Sequence, residues 1–130
     1  MVIDTSALVA ILLDEPDAPR IRAVVEGDPV RLISAATLLE TAIVIEARFG
    51  EAGGRELDLL VHRARIEVVS VDADQAEIAR QAYRSYGKGR HRAGLNFGDC
   101  FAYALARDKN DALLFVGGDF SRTDIRPARQ

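Results

Sequence analysis

Four short apolar runs, separated by helix-like segments, constrain this 130-residue chain more than any other feature. They are residues 2–3 (VI), 31–34 (RLIS), 66–71 (IEVVSV) and 113–116 (LLFV). They read as largely apolar rather than as alternating strands. Such strands are buried on both faces, and strands that alternate with helices argue a parallel sheet covered by helices on either side. The segments between carry ordinary helix signals. Residues 6–13 form a helix with Thr5 or Ser6 near its N-cap. Residues 14–27 open with acids and Pro16 and close on Gly27. Residues 35–50 form a strongly apolar helix closed by Gly50, and Gly53–Gly54 separates it from a further helix over 55–64. Asp72 and Gln75 make a capping box for a helix running to about Tyr86. The glycines of GKGRHRAG mark a loop, residues 96–107 another helix, and Gly117–Gly118 stop the fourth strand. A short fifth strand is placed near Ile125.

The length suits one domain over residues 1–130 with a proper hydrophobic core. A formal charge of −3 excludes a globally basic nucleic-acid binder but leaves room for a local basic patch. The single cysteine, Cys100, rules out an internal disulfide and suits a cytoplasmic location. The apolar stretch 7–13 is too short to span a bilayer, and no signal peptide or membrane association is expected.

In open parallel sheets, sites form beyond the carboxyl ends of the strands. Asp4 follows the first strand and Asp119 the fourth, so the two share a neighbourhood if those strands are adjacent. Each acid also has an ordinary reading. Asp4 suits a helix cap. Asp99, three residues after Asn96, resembles a capping box with Asp in place of Glu. Asp119 suits a solvated turn. Glu40 is harder to explain, because Ala36, Thr37, Ile43, Val44 and Ala47 share its helix face and none is charged; it reads as a carboxylate aimed into the core. Four clustered carboxylates resist ionising together. A hard divalent cation resolves this, and a set without His or Cys favours Mg²⁺, or Mn²⁺, over zinc. Ser6 offers a helper hydroxyl, direct or through water.

The stretches VIDTSAL, LLETAIVIEAR, NFGDCFAYALA and FVGGDF, in this order and spacing, resemble a PIN-domain protein of the VapC toxin type over essentially the whole chain. The resemblance implies a three-layer α/β/α sandwich with a mostly parallel four- to five-stranded sheet and a metal-dependent endoribonuclease. It places Asp4, Glu40, Asp99 and Asp119 at the acidic catalytic and metal-binding positions and Ser6 at the usual hydroxyl. It also implies a homodimer and a cognate antitoxin that covers the cleft.

RNA is a polyanion, and residues 84–92 (RSYGKGRHR) supply Lys88, Arg90 and Arg92 in an acid-free glycine loop suited to phosphate contacts. Tyr83 and Tyr86 could stack on bases, but packing is the simpler expectation for both. His91 reads as an aid to binding, His62 as a surface residue and Cys100 as packing. Opposite Glu40, the stripe Leu38, Ala42 and Ile45 is expected to be spare apolar surface for a partner. Two other classes stay open. A haloacid-dehalogenase-type phosphoryl-transfer enzyme would use Asp4 as nucleophile but wants Asp where this chain has Ser6. A non-catalytic RNA- or protein-binding module would keep the acids for folding.

Overall fold

The computed structural model describes residues 1–129. Its order is β1 (Val2–Ile3), α1 (Thr5–Leu12), α2 (Ala18–Gly27), β2 (Leu32–Ser34), α3 (Ala35–Arg63), β3 (Glu67–Val69), α4 (Ala73–Tyr86), α5 (Phe97–Asp108), β4 (Leu113–Leu114) and a 3₁₀ turn, Phe120–Arg122. The four strands form one sheet in the order β3-β2-β1-β4, and every pairing is parallel. β1 is thus central, with Val2 beside Leu32 on one side and Leu113 on the other.

Alternation along the strands splits the core in two. Val2 and Leu113 point into a cluster with α4 and α5, including Ala79, Ala82, Leu105 and Tyr103. Met1, Ile3, Ile33 and Leu114 point the other way, into a cluster with Leu8, Ile11, Ile21, Val24 and Leu57 from α1, α2 and α3. Helices cover both sheet faces, which makes the α/β/α sandwich and explains why β1 and β4 are apolar and buried on both sides. β3, at the sheet edge, departs from the expected double burial, with Glu67 and Val68 exposed.

The break in the long helical segment lies at Gly50, where the sequence closes the first helix, and Gly53–Gly54 makes no further break. Gly50 takes φ +67° and ψ −162°, a conformation that favours glycine, and turns α3 back on itself. Gly53 is helical, and its missing side chain lets the two halves meet: a Cβ there would stand 2.8 Å from both Ile45 Cγ2 and Phe49 Cβ. No fifth strand forms among the described residues. Near the expected place, Leu113 makes only an isolated parallel bridge with Pro127. The α4 capping box is half made, since Asp72 accepts from the Gln75 amide at 2.8 Å while the Gln75 side chain donates to the Ser70 carbonyl at 3.2 Å.

The spare stripe on α3 also differs from expectation. Ile45 is buried, and Leu38 and Ala42 pack against the core. The apolar residues left in water are Leu39, Ile43, Val44 and Phe49. The side of the helix that meets the core was therefore assigned wrongly from the pattern alone. Among the described residues no helix is long and apolar enough to cross a membrane.

Candidate active site

Asp4 stands where β1 ends, with its amide donating to the Leu114 carbonyl at 3.0 Å. It is the N-cap of α1, the ordinary role its position suggests, and it is only 4% exposed. Its Oδ2 accepts from the Ser6 amide at 3.0 Å and from the Ser6 hydroxyl at 2.7 Å. Its Oδ1 is buried with no hydrogen-bond partner. Ser6 Oγ also accepts from the Val116 amide at 3.0 Å. The serine therefore fixes the rotation of Asp4 and ties it to the chain leaving β4.

Glu40 lies on α3, whose N-cap Ser34 accepts from the Ala36 amide. The carboxylate is half-buried at the cleft edge rather than sunk in the core, because Ile43 and Val44 on its face turn to solvent. Thr5 Oγ1 donates to Glu40 Oε1 at 2.6 Å. Thr41 Oγ1 lies 3.0 Å from Thr5 Oγ1 and 2.8 Å from the Thr37 carbonyl, so it braces the threonine that holds the glutamate. Glu40 Oε2 rests on the first turn of α5, where a Cβ on Gly98 would overlap it. Thr5 and Gly98 were not singled out from the sequence. A glycine in the first turn of an otherwise good helix was the one available hint, since glycine weakens a helix unless something needs the space.

Asp99 is the third residue of α5 and completes the capping box: its amide donates to Asn96 Oδ1 at 2.9 Å, and its Oδ2 accepts from the Asn96 amide at 3.0 Å. Asp119 follows Gly117, whose φ of +101° favours glycine, and it is exposed with no side-chain cap bond.

Burial pushes the Asp4 carboxyl above the usual range, and the charge of Glu40 adds to that against the bonds from Ser6. Asp99 is pushed up to about 6, by burial first and then by the like charges of Asp4, Glu40 and Asp119. All four acids thus share one electrostatic neighbourhood, as the adjacency of β1 and β4 requires. Among the described residues, however, no three His, Cys, Asp or Glu side chains stand as a closed metal-binding group. The cluster is an open one, with Asp119 at its mouth.

Lys88, Arg90 and Arg92 are all exposed, and among the described residues none joins an ion pair. The loop they occupy is closed by bonds from Lys88 N to Leu95 O and from Leu95 N to Tyr86 O, each 2.9 Å. Arg122, three residues past Asp119, donates to the Arg92 carbonyl at 3.1 Å, which holds the basic loop beside the acid at the mouth. His91 braces the loop: its Nδ1 accepts from the Ala93 amide at 3.0 Å and its ring meets Tyr86 edge-on. Tyr86 packs inward, whereas Tyr83 is 39% exposed. Cys100 is buried, with its thiol pushed up to about 11 by burial, and His62 is exposed, both as expected.

The model of the PIN domain matches residues 1–126. Ribonuclease VapC30 of Mycobacterium tuberculosis is 68% identical over 125 residues, which span 96% of this chain and 95% of that protein. Among solved structures, VapC20 of Mycobacterium tuberculosis, described as a sarcin–ricin loop cleaving toxin, superposes with a TM-score of 0.80 at 21% identity, over 99% of this chain and 98% of that one. A toxin–antitoxin complex from Klebsiella pneumoniae contains a chain of the same fold, with a TM-score of 0.69 at 18% identity over 95% of this chain and 92% of that one. The order β3-β2-β1-β4, the acids at its carboxyl edge and these similarities agree: this chain belongs to the PIN-domain family and, within it, to the VapC ribonucleases.

Proposed function

We propose that this chain is a single-domain, metal-dependent endoribonuclease of the cytoplasm, with Asp4, Glu40, Asp99 and Asp119 as its hydrolytic centre, acting as the toxin of a toxin–antitoxin pair. The observation that carries this reading is the orphaned Oδ1 of Asp4. A buried carboxylate oxygen with no donor is costly, and here the charge of Glu40 acts on it as well. The donor set is all oxygen, which fits Mg²⁺ or Mn²⁺. Asp4 Oδ1, the Glu40 carboxylate and the free oxygen of Asp99 would hold the ion, with Asp119 completing the set. When bound, the ion supplies charge neutralisation at the scissile phosphate and acidifies a water.

The protein's own residues set the geometry. Ser6 holds Asp4 in one rotamer, so that Oδ1 alone faces the cleft. Thr5 and Gly98 hold Glu40 at the cleft wall. The Asn96 amide occupies one oxygen of Asp99 and leaves the other free. Glu40 and Asp119 are the groups placed to orient the attacking water. Lys88, Arg90 and Arg92 draw the RNA backbone to an otherwise repellent acidic site. Ser6 acts through Asp4 and is a positioning residue.

An antitoxin partner is supported by the complex whose toxin shares this fold. Its segment would cover the cleft with an Arg or Lys directed at the acids. The exposed Leu39, Ile43, Val44 and Phe49 suit a homodimer contact.

Incubation of the purified protein with RNA, in Mg²⁺ or in EDTA, followed by mapping of the new ends, tests the reading. Expected is cleavage only in Mg²⁺, with 5′-phosphate and 3′-hydroxyl ends, lost in Asp4→Asn and Asp99→Asn. Cleavage that survives EDTA and leaves cyclic phosphates overturns it.

A further inference from the structure

Beside the acidic cluster, α4 and α5 enclose a separate cavity of about 590 Å³, within the size range of small-ligand sites. Its walls are mostly apolar, and Tyr83, Phe97 and Phe101 are among them. Phe97 is 78% exposed, the most solvent-exposed large apolar side chain in the described residues, and its ring meets Phe101 edge-on at 4.9 Å. Arg80 and Lys88 also line the cavity, and no carboxylate does. Arg80 has only a loose exposed pairing with Glu77, at 3.8 Å, and Lys88 has none among the described residues. Asn96 connects the cavity to the acids: it lines the cavity while bonding Asp99 through both amide and side chain.

We propose that this cavity receives an unstacked base of single-stranded RNA next to the cut, with Phe97 and Tyr83 as stacking faces and Lys88 and Arg80 on the flanking phosphates. The inference deepens the ribonuclease reading and rests on it. Charge complementarity selects the occupant. A wall that joins flat aromatic rings to two cations, with no acid, matches a base with its phosphates, and aromatic faces hold any base by stacking. An apolar peptide would leave both cations without a counter-charge. The arrangement makes Phe97 and Tyr83 contributors to cut-site preference, because the base seated there fixes which phosphate reaches Asp99.

The chain contains no tryptophan, so Phe97→Trp introduces a single indole reporter at the rim. This variant is titrated with hexa-adenylate, hexa-uridylate, hexa-cytidylate and hexa-guanylate at low salt, in EDTA and again in Mg²⁺. Expected is quenching of the indole by at least one hexamer, and none by the same hexamer made abasic. Phe97→Ala and Tyr83→Ala are each expected to weaken binding of that hexamer roughly tenfold, as loss of one stacking face does, and to change the base preferred at the cut in Mg²⁺. Phe97→Tyr is expected to retain both properties. Since Phe97 lies in water, its replacement leaves the fold intact, which a melting curve checks. No quenching by any hexamer, or parent-like binding in both alanine variants, overturns the proposal. Quenching by the cognate antitoxin alone assigns the cavity to a protein and equally overturns it. Failure of the parent to cleave any RNA, with base-dependent quenching intact, would instead count against the ribonuclease reading.

Discussion

Asp4 and Asp72 begin helices in the same way. Both have extended backbone, and both spend one carboxylate oxygen on an amide of the first turn: Asp4 Oδ2 on Ser6 N at 3.0 Å, Asp72 Oδ1 on Gln75 N at 2.8 Å. Around that shared bond everything else differs. Asp72 is exposed, and its second oxygen meets water. Asp4 is buried, its second oxygen meets nothing, and Glu40 adds like charge. A cap is a local device that any surface aspartate can serve. Burial of the remaining oxygen is a tertiary expense that capping does not recover, since the cap bond contributes only about 1 kcal/mol. The spare oxygen, rather than the cap, is what sets Asp4 apart, and the proposed function gives it a use.

The comparison breaks most sharply under exchange of both residues for asparagine, which caps as well as aspartate does. Asp4→Asn is expected to lower Mg²⁺-dependent cleavage by roughly 10²–10³-fold, several kcal/mol of lost charge stabilisation. Asp72→Asn is expected to leave it within about twofold of the parent. Equal losses in an end-labelled RNA assay would erase the distinction.

Next in size is Gly98→Ala. The new methyl displaces Glu40 from the α5 turn without touching the cap of either helix. Cleavage should fall roughly tenfold, about 1.4 kcal/mol. The melting temperature should shift by only about a few degrees, because the glutamate can swing outward. A large drop in melting temperature with normal cleavage would show that the glycine serves packing alone.

A smaller effect separates the two regions by pH. Asp99 has a folded-state value of about 6, above its ordinary value of 3.8. Between these values the folded state holds more protons than the unfolded one, so the shift makes stability rise as pH falls. In EDTA, moving from pH 7.5 to 5 is expected to stabilise the parent by about 1 kcal/mol, allowing for the partial exposure of Asp99. Asp4, also raised, acts in the same direction. Asp99→Asn should flatten the profile and raise metal-free stability at pH 7.5, as urea titrations would show. A fall in stability toward pH 5 in the parent would contradict the clustering of charge. Smallest of all, Asp72→Ala should cost about 0.5–1 kcal/mol of stability with cleavage unchanged.

Much of this arrangement was legible in the sequence, and the misses share a cause. β1, β2 and β4 were readable because burial on both faces leaves an apolar run, and the edge strand β3 because Val68 and Val69 keep that run although the strand is largely exposed. The parallel order followed from the helices between them. Asp4 and Asp119 were correctly placed at one sheet edge because β1 and β4 are neighbours, a fact of topology that local patterns do not carry. Asn96 and Asp99 were readable because a capping box is local. Glu40 was recognised as anomalous but aimed wrongly, since a helix that is apolar on several faces does not declare which one meets the core. The same ambiguity misassigned the Leu38, Ala42 and Ile45 stripe. Gly50 closes the first helix as expected, but Gly53 was misread as a second break because a turn and a close helix contact both select glycine. Thr5 and Gly98 matter only through Glu40, thirty-five and fifty-eight positions away in the chain respectively. The expected fifth strand near Ile125 shrank to one bridge at Pro127, made by bonds from Leu113 N to Arg126 O and from Ala128 N to Leu113 O.

The bond from Val116 to Ser6 has a consequence for timing. Val116 is made 110 positions after Ser6, yet its amide helps fix the serine that orients Asp4. Synthesis adds roughly 5–20 residues per second. For several seconds the emerging chain therefore carries Asp4, Glu40 and then Asp99 without the strand that completes their alignment. Such a nascent chain holds its acids without the contact that aligns Asp4 until Val116 has been translated.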